Sequence, residues 1–107
     1  MKSSTSDTAK PVLPKPGQAL FLTPAQRSAL RARAHALNPV VMLGHAGLTD
    51  PVLLEIDAAL KAHELIKLKV SGGDRAAREA IQDAICQRLS AAPVQQIGKV
   101  LVLYRPR

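Results

Sequence analysis

Side chains able to do chemistry are few in this chain and poorly spaced for it. The three histidines, His35, His45 and His63, fall on separate predicted elements with no HxxxH or HxH interval, so no metal site is expected. Cys86 is the only cysteine, which rules out an intrachain disulfide and a thiolate-rich zinc site. It adjoins the apolar stripe of a helix and is read as a core or boundary residue rather than a nucleophile. His63 and Glu64 are neighbours at a helix-to-strand junction and point apart, so they do not form an acid–base pair. Walker A, G-x-S-x-G and G-x-G-x-x-G motifs are absent. The expectation is a protein that is not an enzyme, with no metal, cofactor or small-molecule substrate.

What the chain does contain is a backbone motif. Val40 to Leu43 are four apolar residues and read as a short buried strand. Thr49, Asp50 and Pro51 read as a helix start, with a capping oxygen and a proline set for the first turn. Between them lies Gly44-His45-Ala46-Gly47, a G-x-x-G loop whose glycines admit positive φ and a close approach of the backbone. A helix N-terminus behind such a loop offers unpaired N–H groups and a positive dipole end. The combination suits an anionic backbone passing over the loop, although most loops of this kind only turn the chain.

Charge and aromatic content narrow the ligand. The chain has 107 residues, a formal net charge of +7 and a pI near 10.2, which favours a polyanionic partner. Seven of the eight acids lie between Asp50 and Asp83, against five Lys or Arg there; outside that segment ten Lys or Arg face Asp7 alone. Aromatics make up 2%, too few for a surface on which bases stack against rings. Recognition by glycine loop, helix end and Lys/Arg remains, and it favours shape and phosphate over sequence. The longest apolar run, Val100 to Tyr104, is far too short to cross a bilayer. No signal-like stretch opens the chain, and a cytoplasmic monomer with no membrane partner is expected.

The elements that must hold these residues follow from periodicity and caps. Met1 to Leu20 is rich in Ser, Thr, Lys and Pro and reads as a flexible arm; the folded domain is expected over residues 21–107. Thr23-Pro24-Ala25-Gln26 has the form of a capping box, opening a helix to about Leu37 with Leu30, Ala34 and Leu37 inward. Arg27, Arg31 and His35 make a basic stripe along it, either a solvated face or a surface for a polyanion. A second helix, about Pro51 to His63, buries Val52, Leu53, Ile56, Ala59 and Leu60. Glu64 to Val70 alternates as a strand: Ile66, Leu68 and Val70 on one face, Lys67 and Lys69 on a wet, basic face. Ser71-Gly72-Gly73-Asp74 leads to a third helix burying Ala77, Ile81, Ala84, Ile85 and Leu89, with Arg75 and Arg78 set against the dipole in its first turn. Val94 to Ile97 and Val100 to Arg105 are strands joined by Gly98-Lys99, a hairpin with glycine first as a type II′ turn requires.

Three separated runs resemble one known family. Leu37 to Thr49, His63 to Lys69 and Ile97 to Arg105 are similar to the signature of the bacterial YhbY proteins, the CRM domain (chloroplast RNA splicing and ribosome maturation). The resemblance extends over about Leu22 to Arg107. It implies an α/β (α+β) two-layer sandwich, α-β-α-β-α-β-β with a mixed four-stranded sheet, similar to the C-terminal domain of the translation initiation factor that binds the small subunit. It also implies RNA as partner, in precursors of the large ribosomal subunit, met by a loop like that of KH domains. Gly44, His45, Ala46 and Gly47 fall at that loop, Lys67 and Lys69 at basic positions of the second strand, and Lys99 in the final motif. With Arg27 and Arg31 these are the candidate RNA-binding residues. KH-type loops often carry Lys or Arg between the glycines; here His45 and Ala46 stand there, so backbone N–H groups must carry more of the contact. A different reading is a protein-interaction module that binds a ribosomal protein or assembly factor through the acidic central segment.

Overall fold

The structure, a computed structural model, describes residues 20–106. Seven elements follow one another: α1 (Pro24–Ala34), β1 (Pro39–Leu43), α2 (Asp50–His63), β2 (Leu65–Val70), α3 (Arg75–Leu89), β3 (Ala92–Ile97) and β4 (Val100–Tyr104). The sheet order is β1-β2-β4-β3. β1 and β2 are parallel, which the crossover through α2 allows, while β4 is antiparallel to both β2 and β3. The α+β fold with a mixed four-stranded sheet is thus the one the family resemblance implies. Gly98 has φ +57 and Lys99 is not among the residues with positive φ, the pattern of a type II′ turn between Ile97 and Val100.

The caps behave as read. Thr23 accepts the Gln26 N–H at 3.1 Å while Gln26 Oε1 accepts the Thr23 N–H at 2.9 Å, a complete capping box. Asp74 caps α3 by accepting the Ala77 N–H at 2.8 Å. Helix α1 stops at Ala34, short of the expected Leu37, and Leu37 stands at the surface. The chain must already turn there to deliver Asn38-Pro39 into β1.

The core lies on both sides of the sheet. On one side α2 and α3 seal Val41, Leu43, Ile66, Leu68, Val70, Leu101 and Leu103 beneath Ile56, Leu60 and Ile85. On the other, Leu30 and Ala34 of α1 cover Leu65, Ala92, Val94 and Val102. The face expected to be wet is therefore half covered: α1 lies over β3, β4 and the start of β2 and leaves β1 and the rest of β2 open. The reading of β1 as buried is corrected accordingly, since Val40 is 50% and Met42 66% exposed.

Most of the arm read over Met1 to Leu20 lies outside the described residues. Leu20 itself is packed: it is 2% exposed, joins the α1-side core, and its N–H donates to the Ala91 carbonyl at 2.8 Å. With Leu22 also buried and Phe21 exposed between them, the approach to α1 is an extended segment that alternates like a strand.

Helix α3 departs from the expected stripe. Ala77 is exposed, and Gln82, Ile85 and Cys86 are the buried positions. Gln82 is tolerated inside because its Nε2 donates to the carbonyls of Gln95 and Val102, both at 3.1 Å, where β3 bulges between Pro93 and Gln95. Burial, with Asp83 nearby, pushes the Cys86 thiol up to about 12, so at neutral pH it stays protonated and inert.

One arginine ties the far end of the sheet together. Arg105 Nη1 donates to Asp57 Oδ1 at 2.8 Å and to the Leu89 carbonyl at 3.0 Å, and Nη2 to the Asp57 carbonyl at 3.2 Å. The guanidinium holds the Asp57 carboxyl below its ordinary value of 3.8, against the opposing effect of burial. A lowered folded-state value stabilises above the unfolded value, and that contribution is lost as pH falls through the folded one. Arg105→Ala is expected to cost about 2–3 kcal/mol, the range for charge-assisted bonds in partly buried sites. Urea denaturation at pH 7 checks the loss, and a series below pH 4 should show the parent's advantage shrinking as Asp57 protonates.

Candidate nucleic-acid interface

Because β1 and β2 are parallel and β4 starts beside the end of β2, three connections meet at one end of the sheet. They are the Gly44–Gly47 loop, the Ser71–Asp74 turn and the Gly98–Lys99 hairpin. The Ser71 N–H donates to the Leu43 carbonyl at 3.0 Å and the Val70 N–H to the Lys99 carbonyl at 2.8 Å, which stitches them side by side. A shallow cleft of about 210 Å³ separates the first two, lined by Gly44, His45, Gly47, Ser71, Gly72 and Gly73 among others.

The loop is a closed turn. The Gly47 N–H donates to the Gly44 carbonyl at 3.0 Å, His45 and Ala46 form the exposed tip, and Gly47 has φ +73. Gly44 does not take positive φ, and a Cβ there would meet nothing within 4 Å. Only Gly47 needs to be glycine for the backbone's sake, a narrower requirement than two glycines suggest. The helix behind the loop is also less open than its position implies. Thr49 accepts the Val52 N–H at 3.4 Å and the Leu53 N–H bonds to the Thr49 carbonyl at 2.9 Å. Pro51 has no N–H, and the Asp50 carboxylate already sits in the first turn. The backbone amides of His45, Ala46 and Leu48 find no backbone acceptor among the described loop and turn bonds, so the loop rather than the helix end presents donors to an anion.

Below this rim lies the open part of the sheet. Lys69 is exposed and pairs in register with Met42 and Val100; half-buried Lys67 pairs with Val102 and Pro39. Arg31 and His35 of α1 line a small hollow with Lys67, Gln95 and Ile97. Arg31 and Lys67 therefore line one hollow, exposed Lys69 follows on the same face of β2, and exposed Lys99 stands in the hairpin at the same end of the sheet as the glycine loop. Arg27 stands apart: its Nε donates to the Pro93 carbonyl at 3.5 Å on the edge strand β3. It lines a groove there with Arg31, Arg75, Glu79 and Asp83, in mixed charge. Arg78 turns back to donate to the Gly73 carbonyl, fastening the turn instead of reaching outward.

The fold converts the uneven charge of the sequence into two sides. α1 and the four strands contain no acid, whereas Asp50, Glu55, Asp57, Glu64, Asp74, Glu79 and Asp83 belong to α2, α3 and their caps. The open face thus presents Arg31, Lys67 and Lys69 around Val40, Met42 and Ile97, with no opposing carboxylate on its own elements. Val40, Met42 and Ile97 were not legible as surface residues. Alternation marks which residues share a face, but cover depends on where α1 comes to rest. Among the described residues no group of three or more His, Cys, Asp or Glu could hold a metal, and no helix is long and apolar enough to cross a membrane.

A three-helix domain with a mixed four-stranded sheet and a basic face beside a glycine loop is a recognisable class. Residues 22–105 match the CRS1 / YhbY (CRM) domain, and the chain belongs to that family. It is 55% identical over 85 residues to a Haemophilus influenzae protein named RNA-binding protein, covering 79% of this chain and 86% of that one. It is 39% identical over 86 residues to a Pseudomonas aeruginosa protein, covering 80% and 83%. The solution structure of a hypothetical Staphylococcus aureus protein, described as a candidate RNA binder, superposes with a TM-score of 0.74 at 29% identity, covering 81% of this chain and 91% of that one.

Proposed function

We propose that this chain is a non-enzymatic RNA-binding module that associates with ribosomal RNA in precursors of the large ribosomal subunit and assists their assembly. The observation that carries the reading is the basic side of the sheet: Arg31 and Lys67 line one hollow, exposed Lys69 follows on the same face of β2, and the glycine loop and the Lys99 hairpin stand at its end. A phosphate backbone is the ligand such a surface fits, since Lys and Arg neutralise its charge while loop N–H groups fix its position. The names carried by relatives point the same way.

RNA binding should weaken linearly in log affinity against log salt, with a slope near −0.7 per neutralised phosphate on a single strand. Titration of purified precursor ribosomal RNA at several salt concentrations measures this. A flat response would argue against phosphate contact. The protein-interaction reading is supported by the acids on α2 and α3 and by Leu54, exposed among them. It expects association with intact precursor particles and none with protein-free RNA.

A further inference from the structure

The open face ends, away from the glycine loop, in a cavity of about 330 Å³ lined by Arg33, Leu37, Asn38, Val40, His63 and Leu65. That volume lies at the lower end of the range for small-molecule sites. Leu37, Val40 and Leu65 give it an apolar floor, and Arg33, His63 and the Asn38 amide stand at its rim. No acid lines it; Glu64, which together with Arg33 acts on the Tyr104 hydroxyl, lies just outside. Among the described residues no hydrogen bond engages the side chain of Asn38 or Arg33.

An apolar floor, an amide that both donates and accepts, and a guanidinium beside it match the three parts of a nucleotide. The floor takes the face of a base, the amide reads its hydrogen-bonding edge, and the cation meets a phosphate. An apolar ligand would leave Arg33 and Asn38 unused, and an acidic peptide would not need the apolar lining of Leu37, Val40 and Leu65. The cavity is also continuous with the basic face, because Val40 leads to Met42 on the same side of β1. Asn38 to Gly44 spans about 20 Å at roughly 3.3 Å per strand residue, or about six steps of a strand stacked at 3.4 Å. We infer that this cavity receives one unpaired nucleotide of the same RNA strand whose backbone crosses the glycine loop. The inference rests on the RNA-binding reading and narrows it to RNA that is single-stranded or bulged at that point. It also gives a domain built on phosphate contact one position able to distinguish bases.

The full chain, labelled for NMR, is titrated with the four nucleoside 5′-monophosphates. In parallel, RNA of about twelve nucleotides, long enough to span loop and cavity, is compared as single strand and as duplex. Shifts at Arg33, Asn38, Val40 and His63 with at least one nucleotide, and tighter binding of the single strand than of the duplex, are expected. Asn38→Ala should lower single-strand affinity by about tenfold, as loss of one base-edge contact does, and leave duplex affinity unchanged; Val40→Glu, whose carboxylate also repels phosphate, should lower affinity for both, and for the single strand more. Where Val40→Glu alters the melting curve, Asn38→Ala decides. Equal binding of single strand and duplex, or both variants matching the parent while His45→Asp with Ala46→Asp loses affinity, would overturn the cavity assignment and leave RNA binding standing. A parent that binds neither RNA would overturn both.

Discussion

Changing His45 and Ala46 together to Asp is expected to lower RNA affinity by more than tenfold without unfolding the protein. Both side chains form the exposed tip of a turn already closed by the Gly47-to-Gly44 hydrogen bond, so the substitution leaves the backbone of the loop intact. Each new carboxylate about 4 Å from a phosphate costs roughly 1 kcal/mol in bulk water and up to about 4 kcal/mol at an effective dielectric of 20. Two at the lower figure already exceed the 1.4 kcal/mol or so that a tenfold change represents. Stability should move by only a few tenths of a kcal/mol, because attraction to the α2 N-terminus is offset by repulsion from Asp50. Substituting Gly47 would be a poorer test, since a side chain at φ +73 strains the turn by about 1 kcal/mol or more. Fluorescence anisotropy at matched salt, with a thermal melt of each protein, reads the result. Equal affinity in parent and variant would remove the loop from the interface.

The second large effect concerns the face below the loop. Replacing Arg31, Lys67 and Lys69 by Ala removes three cations that border one surface and none that supports the core. Ile66, Leu68 and Val70 stay packed beneath α2 and α3, and Leu30 and Ala34 stay on the other side. The log–log salt slope should flatten by about 2 units, three contacts at roughly 0.7 each, with affinity at physiological salt down by tenfold or more. Arg27→Ala is the informative contrast. Its guanidinium is held by the Pro93 carbonyl among Glu79 and Asp83, so its removal should change the slope by less than any one of the three. A triple variant with the parent's slope would place the RNA elsewhere on the molecule.

How far the sequence carries depends on whether the signal is local. The capping box at Thr23, the caps at Thr49 and Asp74, the glycine-first hairpin and the alternation of β2 are short-range chemistry, and each stands where periodicity and turn residues put it. The family resemblance supplies what periodicity does not hold, that the four strands form one mixed sheet; their order in it, β1-β2-β4-β3, is visible only in the fold. The misses share one cause. Leu20, Val40, Met42 and Ala77 were misjudged because burial is decided by which distant element arrives to cover a face. α1 covers β3 and β4 and stops short of β1, a fact no window of residues around Met42 contains. Gln82 reads as polar on a helical pattern and is buried only because a β-bulge offers it two carbonyls. For the candidate site, the Gly-x-x-Gly spacing was visible. That Thr49, Pro51 and Asp50 leave the helix end little to offer an anion depends on the partner of each N–H, which the spacing does not hold.

The position of β4 has a consequence for how the protein is made. β4 is the latest of the seven elements to be synthesised, yet it is inserted between β2 and β3 rather than added at an edge. Until Tyr104 has been joined, β2 lacks its antiparallel neighbour, Leu101 and Leu103 are missing from one side of the core, and Val102 from the other. A nascent chain halted before Val100 carries helices with nothing to close them and two strands with unpaired edges, the condition in which chains seek pairing with one another. The sheet of this domain therefore cannot close until β4 has been made. Between the synthesis of β2 and the completion of β4, the edges of β2 and β3 that β4 will pair stay open.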